Sequence, residues 1–363
     1  MEWALVIFIL LFTACSETSS LAKVSETPRD CEPIEPFTGL TADAEQIHNI
    51  AISADDKWLL ADFSSKTYIW RVQDQQLVLE LDGYAVSTFL PPGNTVVSAR
   101  DQSLKVLSIM EQKTIHEFDI GDRATSVGWK DVVVAPDKPI AAVINWVNRG
   151  VPNAPVENWV TIVDVSGGGK VTEVGRVEGD SISAIALSGD GKFLAIGRTT
   201  EATIDVWDLS NRSHFGQFKP TVGLADVVFT RRTAALAISR DGSLLASAHG
   251  DGKIRIWNLP GRKEVGTFAA DSPDSQFKLR FTSDARLLIA IAGGSLFVLD
   301  MRSMNSLCAC KGEFSAHALF VSDTGTTATI MLRPIAADGG AVKTGFQPRL
   351  VWINSNALLR LPQ

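Results

Sequence analysis

Five histidines, His48, His116, His214, His249 and His317, are the side chains in this 363-residue sequence best suited to metal ligation or proton transfer. They fall in five different segments with no His-x-Glu or His-x-x-x-His spacing, so nothing local brings two ligands onto one face. His249 and Asp251 form the nearest pair, and their place in the turn Ala248-His249-Gly250-Asp251 gives them a structural role. No Gly-x-Ser-x-Gly elbow occurs. Gly167-Gly168-Gly169-Lys170 lacks the upstream Gly and the following Ser or Thr of a phosphate-binding loop, and reads as a turn. Asp55, Asp56, Asp190, Asp241 and Asp323 all lie at bends, where a short acid hydrogen-bonds nearby backbone. The sequence therefore assigns no catalytic residue, metal ligand or cofactor.

Four cysteines, Cys15, Cys31, Cys308 and Cys310, are too few for a disulfide-dense scaffold. A bridge from Cys31 to Cys308 or Cys310 and a set of free thiols both remain open. Cys308-x-Cys310 on a strand would send both side chains to one face, without further ligands to complete a metal site.

The elements that carry these residues repeat. AALAISRDGSLLASAHGDGKIRIWNL (234–259) and SAIALSGDGKFLAIGRTTEATIDVWDL (183–209) share one order: an alternating strand, a Ser-x-Asp-Gly turn, a second apolar strand, a polar turn, and a third strand ending in Trp-Asp/Asn-Leu. Weaker copies align Trp70, Leu107, Val163, Trp207, Trp257, Leu299 and Trp352 at one position, recurring about every 47 residues. Period-two alternation excludes helices as the main element. With a short fourth strand in each unit, for example 76–81, 213–218 and 264–268, the expectation is an all-β chain: a seven-bladed β-propeller of four-stranded antiparallel blades over residues 46–363. Trp70, Trp207, Trp257 and Trp352 should wedge between blades. Ring closure stays open between side-by-side packing of the end blades and an added edge strand from residues 36–46.

Composition narrows the partners. Lys and Arg number 34 against 41 Asp and Glu, for a net charge of −7, and 45% of residues are hydrophobic. That is globular composition. Without a basic run, nucleic acid is excluded as the main partner. No apolar run reaches the ~20 residues of a membrane span, so the body is expected to be soluble, and it is read as a monomer.

Val206-Trp207-Asp208-Leu209 and Ile256-Trp257-Asn258-Leu259, with Asp251 in the preceding turn, resemble WD40 repeats. In blade five, Ser247, Asp251 and Trp257 match the positions of that family's buried hydrogen-bonded tetrad. The Gly-His pair that normally precedes the first strand is missing, so its His partner is expected to be absent. The Ser-x-Asp-Gly-x-x-Leu-Ala turns also resemble those of the propeller of periplasmic TolB.

At the N-terminus, the apolar stretch ALVIFILLFTA (4–14) suits a signal-peptide core. Its end, Phe12-Thr13-Ala14-Cys15, resembles the lipobox of bacterial lipoproteins, which implies cleavage after residue 14 and lipidation of Cys15. Phe12 where Leu is usual, and an n-region without Lys or Arg, depart from that pattern. Residues 15–45, rich in Ser, Thr, Glu and Pro, read as a flexible tether. Ser16 resembles the outer-membrane sorting pattern, so the expected address is the cell envelope, periplasm-facing; plain secretion is the alternative.

Three insertions, Asn145 to Asn158, Lys219 to Arg232 and Arg333 to Pro348, fall in b–c, d–a and b–c connections, which emerge on one face of a propeller. They carry Trp146, Val147, Arg149, Arg231, Arg232, Arg333 and Phe346, an aromatic and arginine mixture suited to a protein partner. The expected function is a membrane-anchored, noncatalytic scaffold using that face. A propeller hydrolase or lactonase with its site at the channel mouth is the alternative.

Overall fold

The computed structural model describes residues 47–83, 86–100, 103–120, 126–148, 157–167, 169, 171–178, 180–200, 202–220, 232–270, 277–293, 295–311, 314–321, 327–334 and 349–352. They form strands throughout, as alternation with turn residues between predicts. Blade one holds β1 (Ile47–Ile52), β2 (Trp58–Phe63), β3 (Lys66–Arg71) and β4 (Leu77–Asp82). Blade two holds β5 (Val86–Leu90), β6 (Thr95–Arg100), β7 (Ser103–Ser108) and β8 (Lys113–Asp119). Blade three holds β9 (Ser126–Val134), β10 (Ile140–Asn148), β11 (Glu157–Asp164) and β12 (Val171–Glu178). In blade four come β13 (Ile182–Leu187), β14 (Phe193–Arg198), β15 (Ile204–Asp208) and β16 (Ser213–Phe218). Blade five has β17 (Thr233–Ile238), β18 (Leu244–His249), β19 (Lys253–Asn258) and β20 (Lys263–Ala269). Blade six has β21 (Phe277–Phe281), β22 (Leu287–Ala292), β23 (Ser295–Asp300) and β24 (Asn305–Lys311). The last sheet contains β25 (Phe314–Val321), β26 (Thr327–Pro334) and β27 (Arg349–Trp352).

Each sheet is an antiparallel meander of consecutive strands: six have four strands and the last has three among the described residues. The fourth strand expected near 357–361 lies outside them. First strands touch in succession, β1 to β5, β9, β13, β17, β21 and β25, and β1 also touches β25 and β26. The ring thus closes by packing of the first sheet against the last. Residues 36–46, the other candidate for closure, lie outside the described residues.

The register accounts for the repeat. Trp70, Leu107, Val163, Trp207, Trp257 and Leu299 each pair with the second residue of strand b: Leu59, Val96, Ala141, Leu194, Leu245 and Leu288. In five of these blades the ladder to strand d breaks just before that residue, at a bulge that re-aims the side chain. Blade three differs, with its irregularity between Asn158 and Val160. Trp352 pairs with Thr327 at the start of β26.

Cores lie between blades rather than within them. Phe193, Val206 and Phe218 of blade four pack with Leu236, Leu245 and Trp257 of blade five. Trp207 packs into the cluster joining blades three and four, where Ile144 and Val160 meet Leu194 and Ile196. Trp70 is buried, although the blade-one cluster centres on Trp58, Leu60 and Ile69 against Phe89 and Leu107.

Turns between strands a and b share one hydrogen-bonded device. Ser53, Ser188, Ser239 and Thr282 donate their hydroxyls to Asp55, Asp190, Asp241 and Asp284 at 2.6–2.7 Å. The same hydroxyls accept from the amides of Trp58, Phe193, Leu244 and Leu287. Each Asp also accepts an amide two residues on, from Lys57, Lys192, Ser243 or Arg286. These acids hold turns, as the sequence suggested for Asp55, Asp190 and Asp241; Asp323 lies outside the described residues.

Candidate functional site

The face formed by the b–c and d–a connections is built from strand ends. Gly83 donates its amide to the carbonyl of Ser65, Thr199 to Ser181, and Gly250 to Arg232, so in blades one, four and five the b–c turn is tied to the end or start of an outer connection. Blade three extends furthest in sequence here: β10 has nine residues and β11 eight, against six for β18 and β19. Their ladder continues through Trp146 opposite Asn158 and Val147 opposite Glu157.

This corrects the expected loop from Asn145 to Asn158. Trp146 and Val147 sit on a strand, and only 149–156 separate β10 from β11. The cause is Asn145, a polar residue that reads as a loop start but is fully buried, its amide donating to Thr161 Oγ1 at 2.6 Å. Arg333 likewise lies within β26, opposite Ser315. Arg232 is exposed just before β17. Arg149, Arg231 and Phe346, together with Cys15 and Cys31, lie outside the described residues; Cys308 and Cys310 are two apart on β24.

The interior of blade five holds the densest polar arrangement. Trp257 Nε1 donates to Ser247 Oγ at 2.9 Å, and the same hydroxyl lies 2.9 Å from His249 Nε2. His249 is the last residue of β18 and fully buried, not a turn residue. The Gly-His pair is absent, as the sequence reads, and the family's tetrad is not formed; a different histidine, on strand b itself, meets the Trp–Ser pair. Asp251 turns instead to Arg255, which donates to both carboxylate oxygens at 3.2 and 2.5 Å, both side chains being nearly inaccessible. Burial would raise the Asp251 carboxyl, but Arg255 outweighs it and holds the group below its ordinary value. Blade four lacks this relay. Ile196 stands where Ser247 does, and Trp207 Nε1 has no acceptor among the described residues.

Burial, with the Arg255 charge beside it, pushes His249 down to about 3, so the ring is neutral in the fold. In the unfolded chain it titrates near 6.5. Its contribution to stability is thus present above pH 6.5 and lost as pH falls toward 3, at about 1.4 kcal/mol per pH unit. Denaturant unfolding should show a loss of about 2 kcal/mol between about pH 7 and about pH 5 that His249→Gln removes. An equal slope in the variant would assign the loss to other groups.

Sequence reasoning missed two sites. Asp62, fully buried in β2, accepts from Thr67 Oγ1 at 2.5 Å, Asn49 Nδ2 at 2.9 Å and the Ser87 amide at 2.7 Å, joining blades one and two. Burial pushes its carboxyl up despite these donors. The signal was a charge inside the apolar run Trp58–Phe63. On the opposite face, Arg240 Nε donates to both Asp137 oxygens at 3.0 and 2.9 Å, linking the a–b turns of blades five and three. Between them, Asp137 donates to the Gly189 carbonyl and Gly189 to that of Arg240. A Cβ at Gly189 would lie 2.7 Å from the Arg240 carbonyl, so that position excludes a side chain. The signal was Arg240 at the x of Ser-x-Asp, where the other copies have Ala54, Gly189 and Ser283.

Among the described residues no group of three or more His, Cys, Asp or Glu could hold a metal ion, and no helix is long and apolar enough to cross a membrane. Residues 232–258 match the family model described as WD domain, G-beta repeat. Over 154 residues the chain is 24% identical to pre-mRNA-processing factor 19 of Oryza sativa subsp. japonica, covering 42% of this chain and 27% of that protein. The chain thus spans about a quarter of that relative's length. WD40 repeats typically serve as platforms for protein interaction, which is the coarse function these matches suggest. With its repeated register and these matches, the chain is similar to WD40 repeat proteins and its all-β fold is consistent with a WD40-like β-propeller.

Proposed function

We propose that this protein is a lipid-anchored scaffold of the cell envelope that grips a protein partner through the b–c and d–a face of its propeller. What supports the face is the extended β10–β11 hairpin leaving the same side as the segment before β17. Trp146, Arg149, Arg231, Arg232, Arg333 and Phe346 supply aromatic and guanidinium groups of the kind that dominate interface energetics, and Val147 an aliphatic one. The anchor rests on the sequence around Cys15: lipid on that cysteine would hold residues 46–363 off the membrane by the 15–45 tether.

Two measurements test the reading separately. Intact mass of membrane-extracted protein should lack residues 1–14 and carry an acyl-bearing mass, and Cys15→Ser should release the protein from membranes; a variant that stays equally bound sinks the anchor. For the face, Trp146→Ala and Arg232→Ala should each weaken partner capture by ~1–3 kcal/mol; Arg232→Ala, just before β17, should leave the melting temperature nearly unchanged, and capture by Trp146→Ala, on strand β10, is read at a temperature where the variant is fully folded. A captured partner indifferent to both substitutions would move the working surface elsewhere.

A further inference from the structure

The side of the ring away from that face holds a second kind of site. Strand-a residues surround a central channel in which two cavities, of about 150 and 80 Å³, share Arg280 on their walls. The larger opens among the a–b turns, beside Ala54, Gly189, Arg240 and Ser283. Arg280 lies two residues before the Thr282 turn. At the matching place before Ser53, Ser188 and Ser239 stand Ala51, Ala186 and Ala237, so one blade delivers a guanidinium where three deliver a methyl group.

Charge in this space runs against that of the chain. Among the described residues the two cavities are lined by three cations, Arg240, Lys278 and Arg280, and one carboxylate, Asp131, in a protein of net charge −7. Arg240 is met by Asp137. One Asp131 oxygen accepts the Val132 amide at 2.9 Å. Arg280 Nη1 donates to its neighbour's carbonyl, that of Leu279, at 3.2 Å. Burial draws the guanidinium below its ordinary pKa, while Asp131 opposes this. A half-buried guanidinium on a cavity wall gains from an anion placed against it. The larger cavity adds apolar walls, from Phe89, Leu187, Ile238 and Phe281. Its volume is of the class that admits a benzene-sized body.

We propose that the a–b mouth of the central channel binds a small organic acid, an aryl or branched-chain carboxylate, with its apolar body against Phe89 and Phe281 and its carboxylate on Arg280. An inorganic anion would leave the apolar walls unfilled, and a neutral isostere would leave the guanidinium without its gain.

The test is calorimetric titration and ligand-observed NMR of the full chain with benzoate, with benzyl alcohol and inorganic phosphate as comparisons. Benzoate should bind the wild type more tightly than either comparison. Arg280→Ala, which copies the residue of the equivalent blades, should weaken it about tenfold or more, and Arg280→Lys should weaken it less. Ala54→Phe, at the mouth and outside the cores, should block binding with the channel charges intact; it decides the matter if Arg280→Ala does not fold. Equal binding by the wild type and both Arg280→Ala and Ala54→Phe, phosphate binding as tightly as benzoate, or no benzoate binding up to about 10 mM, would overturn the proposal.

Discussion

Trp257→Ala should destabilise the fold by about 3–5 kcal/mol, the range for emptying a large aromatic site in a packed core. Trp257 is 5% exposed and meets Phe218 of the neighbouring blade edge-on at 5.7 Å. Its loss opens a cavity between two blades rather than inside one, and neighbouring strands, held in register by their ladders, cannot collapse far into it. The indole hydrogen bond to Ser247 is a smaller share. Trp257→Phe keeps most of the packing and deprives the buried Ser247 hydroxyl of its indole donor, so it should cost about 1–2 kcal/mol. Urea unfolding of both variants separates the two contributions. A cost below about 1 kcal/mol for the Ala variant would mean that the blade-four to blade-five contact is peripheral to stability.

Asp62→Ala should have a comparable effect by a different route. Removing the carboxylate leaves the Thr67 hydroxyl, the Asn49 amide and the Ser87 backbone amide without their acceptor in a fully buried place. At about 1–3 kcal/mol for each buried polar group left unsatisfied, and with Asn49 retaining the Ser87 carbonyl at 2.6 Å, the expected loss is about 3 kcal/mol. Asp62→Asn keeps the shape but turns an amide donor toward other donors, so it should recover only part of this. Chemical denaturation at neutral pH checks both; a neutral Asp62→Ala would show that the network is dispensable. Because the three donors come from blades one and two, hydrogen exchange of the Ser87 amide should also quicken in the variant.

Much of the fold was legible because a propeller repeats one local solution. Alternating apolar residues, a Ser-x-Asp turn and an aromatic or aliphatic residue late in strand c recur, and the pairing of Trp207 with Leu194 and of Trp257 with Leu245 confirms that alignment residue by residue. Where legibility failed, a buried polar residue was involved. Asn145 breaks the alternation and reads as a loop start, yet its amide donates to Thr161 inside the sheet. His249 was read as part of a turn, yet Ser247 draws it into the core. Local pattern treats a polar residue as exposed; a buried hydrogen-bond partner, across the ladder for Asn145 and on the same strand for His249, reverses that expectation.

The sequence by itself determined the strands, their order and the turn chemistry, since each rests on contacts between residues close along the chain. The tertiary structure decided how the ring closes, with β1 against β25 and β26, and that Asp137 and Arg240 meet although 103 residues separate them. It also decided that Arg280 lines the two cavities of a shared channel. Those outcomes depend on the summed rotation of successive blades about one axis, which no single repeat encodes and only the assembled ring fixes.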